Sequence, residues 1–549
     1  MCTFRERQRF PTRNYPYHAR PDAAPPDEIS AEPPQANTLY RRVLGLDAQA
    51  RPMTPDELKG LDDPFGRLLR SGAPFPLTLR QLLAAVDALG GTPEALANQL
   101  VFLAADGGHI PWSQETDELE RFFRFAVARG SGDFPLLVSG STALDSDANG
   151  AFLQVIGWDA TNEVFHYYER LDGTFFWAGM SQHALEDGTR GQGPFDSHVN
   201  GSLVMKELRA PWIHWHAPQA GINEEALAPD DRLRDEPIFR SRVTAERLET
   251  EVVRPGIRRW NEARVRKAVG ADGVWRRVPH VMRQAVTDTT VNLASADTAS
   301  RLLTDDSVLR PPLSFFLNRD TLFDTLGLVP DDPAVAAVNI SGRLYLGCLE
   351  RYDVHRSDGS IRVEGDSHFP FLTPEPAFED THLIEACLQA GLLTPRFVAC
   401  LSMTDFTNPV FSERRAALLR YVPEEVGGAD VAATLETRFV EALREAVEAG
   451  GDGGAGRADS PEREFLSNWE TEDFEAAFIS RITEYFLALK AGMADPDVVD
   501  GWFRLMEHRR RRFRRRPLAE FSLTTPRTNI PEDAPPLRMN TRGRAEPIT

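Results

Sequence analysis

The sequence predicts an α+β protein that is mostly helical and carries two antiparallel β segments, at about residues 134–182 and 335–364. Long amphipathic runs flanked by helix-capping residues occupy most of the chain, and such runs are typical of helices. Two stretches break this pattern, because they consist of short β-branched and aromatic segments separated by turn residues. Strands that are grouped apart from the helices indicate an α+β fold.

The first half of the chain is predicted to hold several helices and then a β meander. In MTPDELKGL, Thr54 and Glu57 form a capping box, with Pro55 at the first helical position. The runs LTLRQLLAAVDALGG, TPEALANQLVFLAADGG and TDELERFFRFAVARG are also predicted to be helical. The segments FPLLVSG, GAFLQVIGWD, EVFHYYERLD and GTFFWAGMS then predict four antiparallel strands.

Helices are predicted to return from about residue 240. The run TAERLETEVVRPGIRRWNEARVRKAVG is amphipathic, and we expect a kink before Pro255. The stretch VAAVNISGRLYLGCLERYDVHRSDGSIRVEG predicts the second β segment, with a turn at RSDGS. Further helical runs follow, the last of which is DVVDGWFRLMEHRRRRFRRR.

Composition divides the chain into four predicted regions. Residues 1–37 are rich in Pro, Arg and Asp and predict an extended arm. Residues 38–240 hold the first helices, the meander and a candidate metal site, and residues 241–520 are mostly helical with the second β segment. The Pro-rich residues 521–549 predict an extended tail.

Charge and cysteine content narrow the functional classes. The formal net charge of −20 disfavours binding to nucleic acid and to anionic membranes. No apolar run is long enough to predict a membrane-spanning helix, and the N-terminus lacks the apolar segment of a secretory signal. The four cysteines form no C-x-x-C motif, so we expect reduced thiols in a cytoplasmic protein.

The stretch GPFDSHVNGSLVMKELRAPWIHWHAP, residues 193–218, carries the predicted metal site. The segment WIHWHA is predicted to be extended, and residues two apart on a strand face the same way. His214 and His216 are therefore expected to point together, with Trp212 on their face. Imidazole nitrogen is a common ligand of iron, copper and zinc.

A third ligand has to come from elsewhere in the chain. His198 is the nearest candidate, Asp196 and Glu207 are the carboxylate alternatives, and His183 is a reserve ligand. Two histidines and one carboxylate suit Fe(II) and oxygen chemistry, whereas three histidines suit zinc or copper. The alternative interpretation is that these histidines only pack among aromatic residues, with hydrogen-bonded ring nitrogens.

This pattern predicts a metal-dependent oxidoreductase, specifically a mononuclear iron oxygenase that acts on a small molecule. His198, Asp196 and Trp212 are the predicted catalytic residues, and Trp177 and Trp215 are expected to shape an aromatic cofactor pocket. One alternative is a non-covalent haem enzyme that uses the same histidines. Another is a metal-free interaction protein that forms a homodimer by exchange of its terminal arms.

Two further clusters have structural as well as chemical interpretations. The basic run EHRRRRFRRRP is expected to form ion pairs within the chain or to contact a subunit, because the rest of the chain is acidic. The sharper alternative is that one or two of its arginines bind a phosphate or carboxylate substrate. In VEGDSHFPFLTPEPAFEDTHLIEA, Asp380 is expected to stabilise a helix start, and a general base formed by a histidine and a carboxylate is the alternative.

Overall fold

The computed structural model describes residues 35–548, except for 90–95, 118, 120, 148–150, 172, 204–207, 218–221, 223, 288, 297–299, 359–360, 451–453 and 515–524. The chain forms two compact units. The first contains the described residues up to Leu208 together with His214–Trp260, and the second contains Arg209–Ile213 and the described residues from Asn261 onward. Within these ranges, none of the helices has both the length and the apolar character needed to span a bilayer.

A mixed eight-stranded sheet forms the centre of the first unit. Its strands are β1 Tyr40–Arg41, β2 Arg51–Pro52, β3 Asn98–Ala104, β4 Arg124–Gly130, β5 Leu136–Ser141, β6 Leu153–Asp159, β7 Val164–Leu171 and β8 Thr174–Met180. They lie in the order β2-β1-β8-β7-β6-β5-β4-β3. All neighbours are antiparallel except β1 and β8, which run parallel.

Helix packing against this sheet is clearest at the helix Pro64–Leu69. The helices assigned to this part of the chain are α1 Pro55–Lys59, α2 Pro64–Leu69, α3 Leu79–Ala88, α4 Pro237–Arg240, α5 Ala245–Arg247 and α6 Arg254–Arg266. Phe65 of α2 packs edge-on against Tyr168 of β7 and Phe175 of β8, with ring centroids 5.0 and 5.1 Å apart. Asp63 caps α2 and accepts a hydrogen bond from the Tyr168 hydroxyl at 2.5 Å, so one side chain joins the helix to the sheet.

The second unit is built mainly from helices around its own apolar core. Its helices are α7 Val278–Val286, α8 Gly342–Arg351, α9 Phe378–Gln389, α10 Pro395–Met403, α11 Glu413–Ala417, α12 Val431–Gly450, α13 Pro461–Glu470, α14 Phe474–Gly492 and α15 Pro496–Arg514. Its strands are β9 Val274–Arg276, β10 Val291–Ala294, β11 Val308–Leu309, β12 Ile340–Ser341, β13 His355–Asp358, β14 Ile361–Glu364, β15 Thr373–Pro376, β16 Glu425–Gly427, β17 Leu537–Met539 and β18 Ala545–Pro547. These strands pair two by two.

The predicted fold class is wrong, because the structure is a mixed α/β fold with a large sheet, 42% helical and 17% strand. Two runs that predict helices, TPEALANQLVFLAADGG and TDELERFFRFAVARG, contain the paired strands β3 and β4. Both strands are buried on both faces along most of their length, so they show no alternation of apolar and polar residues. Periodicity alone cannot distinguish such a strand from a buried helical segment.

The second predicted β segment, 335–364, is also largely wrong. Its centre is the helix α8, in which Tyr345 and Cys348 are buried at the three-residue spacing of one helix face. Strand structure in this segment is limited, among the described residues, to the short β12 and the β13–β14 hairpin. The aromatic and β-branched content suggested strands, whereas packing of one face onto the second unit's core favours the helix.

Two regions that the sequence predicts to be extended are described only in part. The predicted arm over residues 1–37 lies outside the described residues, apart from 35–37. In the predicted tail, the described residues 525–548 include the β17–β18 hairpin, which is fixed to the second unit by hydrogen bonds.

Candidate functional site

The two histidines of WIHWHA lie beside strand β3. The amide of Ala105 donates to the carbonyl of His214 at 2.8 Å, and the amide of His216 donates to the carbonyl of Leu103 at 2.9 Å. His214 has a φ of 76°, in the left-handed region that non-glycine residues seldom adopt. The regular alternation of a strand, on which the predicted pairing of the two rings depends, is therefore interrupted at His214.

Both imidazoles lie in buried or half-buried surroundings. Burial and the nearby charge of Arg124 lower the pKa of His214 to about 3, although its Nδ1 lies 3.8 Å from Oδ1 of Asp106. Burial and the charge of Arg242 also lower the pKa of His216, whose Nδ1 lies 3.0 Å from the carbonyl oxygen of Ile222. Both rings are thus neutral at pH 7, which is the form that a metal requires.

Three of the other predicted ligands, His198, Asp196 and His183, lie in the first unit. His198 places Nδ1 3.0 Å from the carbonyl oxygen of Ser202, and its ring lies 5.5 Å from that of Tyr167. Asp196 ends a 3₁₀ turn, Gly193–Asp196. The reserve ligand His183 accepts a hydrogen bond from the amide of Met180 at 3.1 Å. Glu207 lies outside the described residues.

The three predicted tryptophans differ in burial and in the unit to which they belong. Trp177 is buried and donates from Nε1 to Nδ1 of His166 at 3.1 Å. Trp215 is fully buried in the first unit. Trp212 is half-buried and belongs to the second unit, in contrast to His214 and His216.

Across the part of the chain that the structure describes, no group of three or more His, Cys, Asp or Glu side chains is placed to hold a metal ion. His214 and His216 both lie beside β3, but His198 and Asp196 do not complete a ligand set with them. The iron oxygenase, its haem, copper and zinc alternatives and the small-molecule substrate therefore stay predictions.

The structure describes a different candidate site, a cleft of about 590 Å³ in the second unit. One wall is the loop TDFTNPVFSERR, which follows α10. Asp405 organises this loop by accepting hydrogen bonds from Asn408 Nδ2 at 2.9 Å and from Ser412 Oγ at 2.5 Å. Ser412 in turn caps α11. Asp405 and Phe411 both have positive φ angles, 53° and 58°, which are rare for non-glycine residues and often mark functional loops.

Arginines from four segments converge on this cleft, which we call the arginine cleft. They are Arg414, Arg420, Arg457, Arg509, Arg512 and Arg538. The cleft is also lined by four carboxylate side chains, those of Asp405, Glu413, Asp459 and Glu462. The lining therefore holds more guanidinium than carboxylate groups, in a chain whose net charge is strongly negative.

Arg420 is exposed but held in one orientation. It donates from Nη2 to Oε1 of Glu462 at 2.6 Å, and its guanidinium lies 5.1 Å from the ring centroid of Tyr421. Glu462 is almost fully buried and also accepts from the Tyr421 hydroxyl at 2.9 Å. Burial alone would raise the pKa of Glu462, but the hydrogen bonds that it accepts outweigh burial and lower it.

Arg457 is held in the same manner on the neighbouring segment. It donates from Nε and Nη2 to the two carboxylate oxygens of Asp459, at 3.0 and 3.2 Å. Arg414 donates to the carbonyl oxygen of Asp459 at 2.5 Å and to Oε2 of Glu464 at 2.9 Å. A guanidinium has five N–H donors, so Arg420 and Arg457 keep at least three donors each beyond these bonds.

The opposite wall comes from α15 and the C-terminal hairpin. The guanidinium of Arg512 lies 4.9 Å from the ring centroid of Phe411 and 3.4 Å from a carboxylate oxygen of Glu413. Arg509 is buried and donates to the carbonyl oxygen of Phe315 at 2.6 Å. Arg538 pairs with Glu546 across the hairpin at 3.0 Å. These contacts fix the guanidinium groups before any ligand arrives.

The expected intramolecular ion pairs of the basic run are confirmed for Arg510, Arg511, Arg512 and Arg514. Arg510, Arg511 and Arg514 all pair with Glu507, at 2.8–2.9 Å. Binding of a substrate anion by one or two of these arginines is the alternative that the sequence offers, and Arg509 and Arg512 do line the cleft. The partner segments could not be predicted, because nothing in TDFTNPVFSERR or GAGRADSPERE indicates that they meet α15.

Asp380 of the second cluster lies at the start of a helix, as the sequence predicts, but its described hydrogen bonds come from side chains of other segments. It lies in the first turn of α9 and accepts hydrogen bonds from Gln284 Nε2 and Thr289 Oγ1, both at 2.8 Å. His382, two residues further along α9, places Nδ1 3.1 Å from Oε2 of Glu385.

No protein-family model, curated protein or solved structure matches this chain.

Proposed function

We propose that the second unit binds a small molecule that carries a carboxylate or phosphate group, and that the arginine cleft is the binding site. The observation that carries this proposal is the pair Arg420 and Arg457. Both side chains are 61% exposed in the cleft, yet each is oriented by a buried or neighbouring carboxylate. Orientation by a carboxylate leaves the remaining N–H donors at fixed positions, and this arrangement recognises planar or tetrahedral anions.

The size of the cleft supports a small molecule as the ligand. Binding sites for organic ligands have volumes of about 300–1,000 Å³, and the cleft, at about 590 Å³, lies in the middle of this range. The cleft is also lined by the aromatic rings of Phe411 and Tyr421, each with an arginine over its face. Stacking limits the rotation of these arginines, which lowers the entropy that ligand binding would cost.

To test the proposal, the full chain is titrated with inorganic phosphate. Binding is measured by calorimetry and by the shift in melting temperature. Sodium chloride at equal ionic strength serves as the reference for non-specific screening. The double variant Arg420→Gln, Arg457→Gln is expected to bind phosphate at least about tenfold more weakly, because each charge-assisted hydrogen bond contributes about 1.5–3 kcal/mol.

The matched control is Arg351→Gln on α8. Arg351 is also 61% exposed and is held by a carboxylate, that of Asp500 at 2.7 Å, but it does not line the cleft. Phosphate affinity in this variant is expected to equal that of the unmodified chain. Equal losses in the control and the double variant, or no phosphate binding above the chloride reference, would contradict the proposal.

A further inference from the structure

We infer that the ligand of the arginine cleft is an amphipathic organic anion, with a carboxylate or phosphate head and an apolar body. This inference rests on the proposed function and specifies the class of molecule. The head is assigned to Arg420 and Arg457, and the body to the apolar side chains on the hairpin side of the same cleft.

The apolar part of the cleft is formed by Leu537 and Ile548 of the C-terminal hairpin together with Val410 and Phe411 of the loop. Ile548 is 42% exposed, which is unusual for a large aliphatic side chain in this structure. Its position is fixed, because its amide donates to the carbonyl of Pro536 at 2.8 Å. Water therefore contacts an aliphatic surface next to a set of oriented guanidinium groups.

This apolar wall is rigid rather than loosely attached. Asn408 donates to the carbonyl of Met539 at 2.9 Å and accepts from its amide at 2.8 Å. Thr407 donates to the same carbonyl at 2.7 Å. The hairpin and the arginine-bearing loop are thus joined by a short, buried hydrogen-bond network. A preformed wall favours ligands whose shape already complements it.

The volume of the cleft favours an amphipathic anion over an inorganic anion as the ligand. A single phosphate or carboxylate group is small and would leave most of the 590 Å³ to water. An apolar body would displace water from Ile548 and Phe411, and burial of apolar surface is favourable in proportion to its area. The guanidinium groups and the apolar wall of the cleft together therefore favour molecules that contain both an anionic head and an apolar body.

The experiment compares the binding of acetate, hexanoate and the uncharged hexanamide to the full chain by calorimetry, at constant ionic strength. Hexanoate carries four more methylene groups than acetate, so it is expected to bind at least about tenfold more tightly. Hexanamide lacks the charge and is expected to bind at least about tenfold more weakly than hexanoate.

Two exposed-site variants identify the surface that the apolar body contacts. Ile548→Ser is expected to remove most of the advantage of hexanoate over acetate. The control is Leu487→Ser on α14, where the leucine is 53% exposed and lies outside the cleft. Both variants change exposed residues, so circular dichroism and melting temperature are expected to show a retained fold.

The outcomes distinguish this inference from the proposed function. If phosphate binds through Arg420 and Arg457 but hexanoate binds no better than acetate, the inference is overturned and the anion site stands. The inference is also overturned if Ile548→Ser and Leu487→Ser affect hexanoate equally. If neither phosphate nor any carboxylate binds, the anion site and the inference both fall.

Discussion

At the residue scale, Glu169 is a carboxyl group that holds its proton at neutral pH. It lies buried on β7, and its Oε2 has no hydrogen-bond partner among the described residues. Burial, together with the nearby charge of Asp196, raises the pKa of Glu169 to about 8. The guanidinium of Arg42 lies 3.8 Å away, at the outer limit of an ion pair, and does not offset the loss of hydration.

The raised pKa makes the stability of the protein depend on pH. An exposed glutamate in the unfolded chain has a pKa of about 4.3. Between this value and about 8, the folded state binds the proton of Glu169 more tightly than the unfolded chain does. The contribution to stability is therefore fully present below about pH 4.3 and is lost as the pH rises through about 8.

We expect Glu169→Gln to become more stable relative to the unmodified protein as the pH rises. The amide resembles the protonated carboxyl group and has no charge to lose. The difference in the free energy of unfolding is expected to grow by at least about 1.4 kcal/mol between pH 5 and pH 9, the equivalent of one pKa unit. Urea unfolding at each pH measures this difference in the free energy of unfolding. The control is Glu441→Gln, a substitution at an exposed residue. A difference that stays constant with pH would show that Glu169 ionises normally.

The described cysteines agree with the expectation of reduced thiols. Cys348, Cys387 and Cys400 are free and buried. Burial raises their pKa values, to about 11 for Cys348 and about 12 for the other two. Thiols of this kind are poor nucleophiles at neutral pH, so these residues contribute to packing.

At the element scale, helix α15 is anchored by a buried network of charges. Glu507, 1% exposed, accepts from Arg510 Nε at 3.0 Å and from Arg511 Nε at 2.9 Å. Arg510 is itself fully buried and reaches Oδ1 of Asp366 at 3.2 Å. Asp366 also accepts from the Tyr345 hydroxyl of α8, so the network connects α15 to α8 and to the segment before β15.

Removal of one charge from this network is expected to destabilise the second unit strongly. Arg510→Met keeps much of the volume but leaves Asp366 and Glu507 buried with fewer partners. Breaking a buried ion pair in this way costs about 3–5 kcal/mol. Urea unfolding at pH 7 measures the loss, and Arg444→Met on the exposed surface of α12 is expected to change stability by less than about 0.5 kcal/mol. Similar values for the two variants would mean that the network contributes little.

At the scale of the whole molecule, a strongly acidic chain contains a local concentration of arginines. The net charge of −20 produces a field that repels small anions at a distance. The guanidinium groups of the arginine cleft act at contact distance, where their hydrogen bonds are directional and screening is weak. Affinity for an anion would therefore depend on the local geometry of the cleft and not on the total charge.

The metal-dependent oxidoreductase predicted from the sequence is tested on the whole, untagged protein. If the prediction is right, elemental analysis gives one transition metal per chain, and His214→Ala, His216→Ala removes it. The control is His355→Ala, a half-buried histidine in the second unit. A Soret band would favour the haem alternative. A colourless, metal-free protein that takes up no added Fe(II) would contradict the prediction of a metal-dependent oxidoreductase. The other alternative, the arm-exchanged homodimer, is tested by measuring the mass of the protein in solution.

Local features of the fold could be predicted because short-range chemistry decides them. The capping box of Thr54 and Glu57 is present as expected, since its hydrogen bonds join residues three apart. The four segments of the predicted meander form β5 to β8, because the turn residues between them and their β-branched and aromatic content are local signals. The same reasoning fails at β3 and β4, where burial on both faces removes the alternation.

The sequence by itself determined the capped helices, the meander, the acidic surface charge and the presence of an arginine run. Only the tertiary structure decided that β3 and β4 extend the sheet and that residues 340–351 form mainly a helix. It also decided the candidate site, because Arg420, Arg457, Arg512 and Ile548 are separated by up to about 130 residues and meet only through packing. Periodicity reports the environment of one segment, whereas a cleft depends on which distant segments share a core, and this is set by side-chain packing over the whole unit.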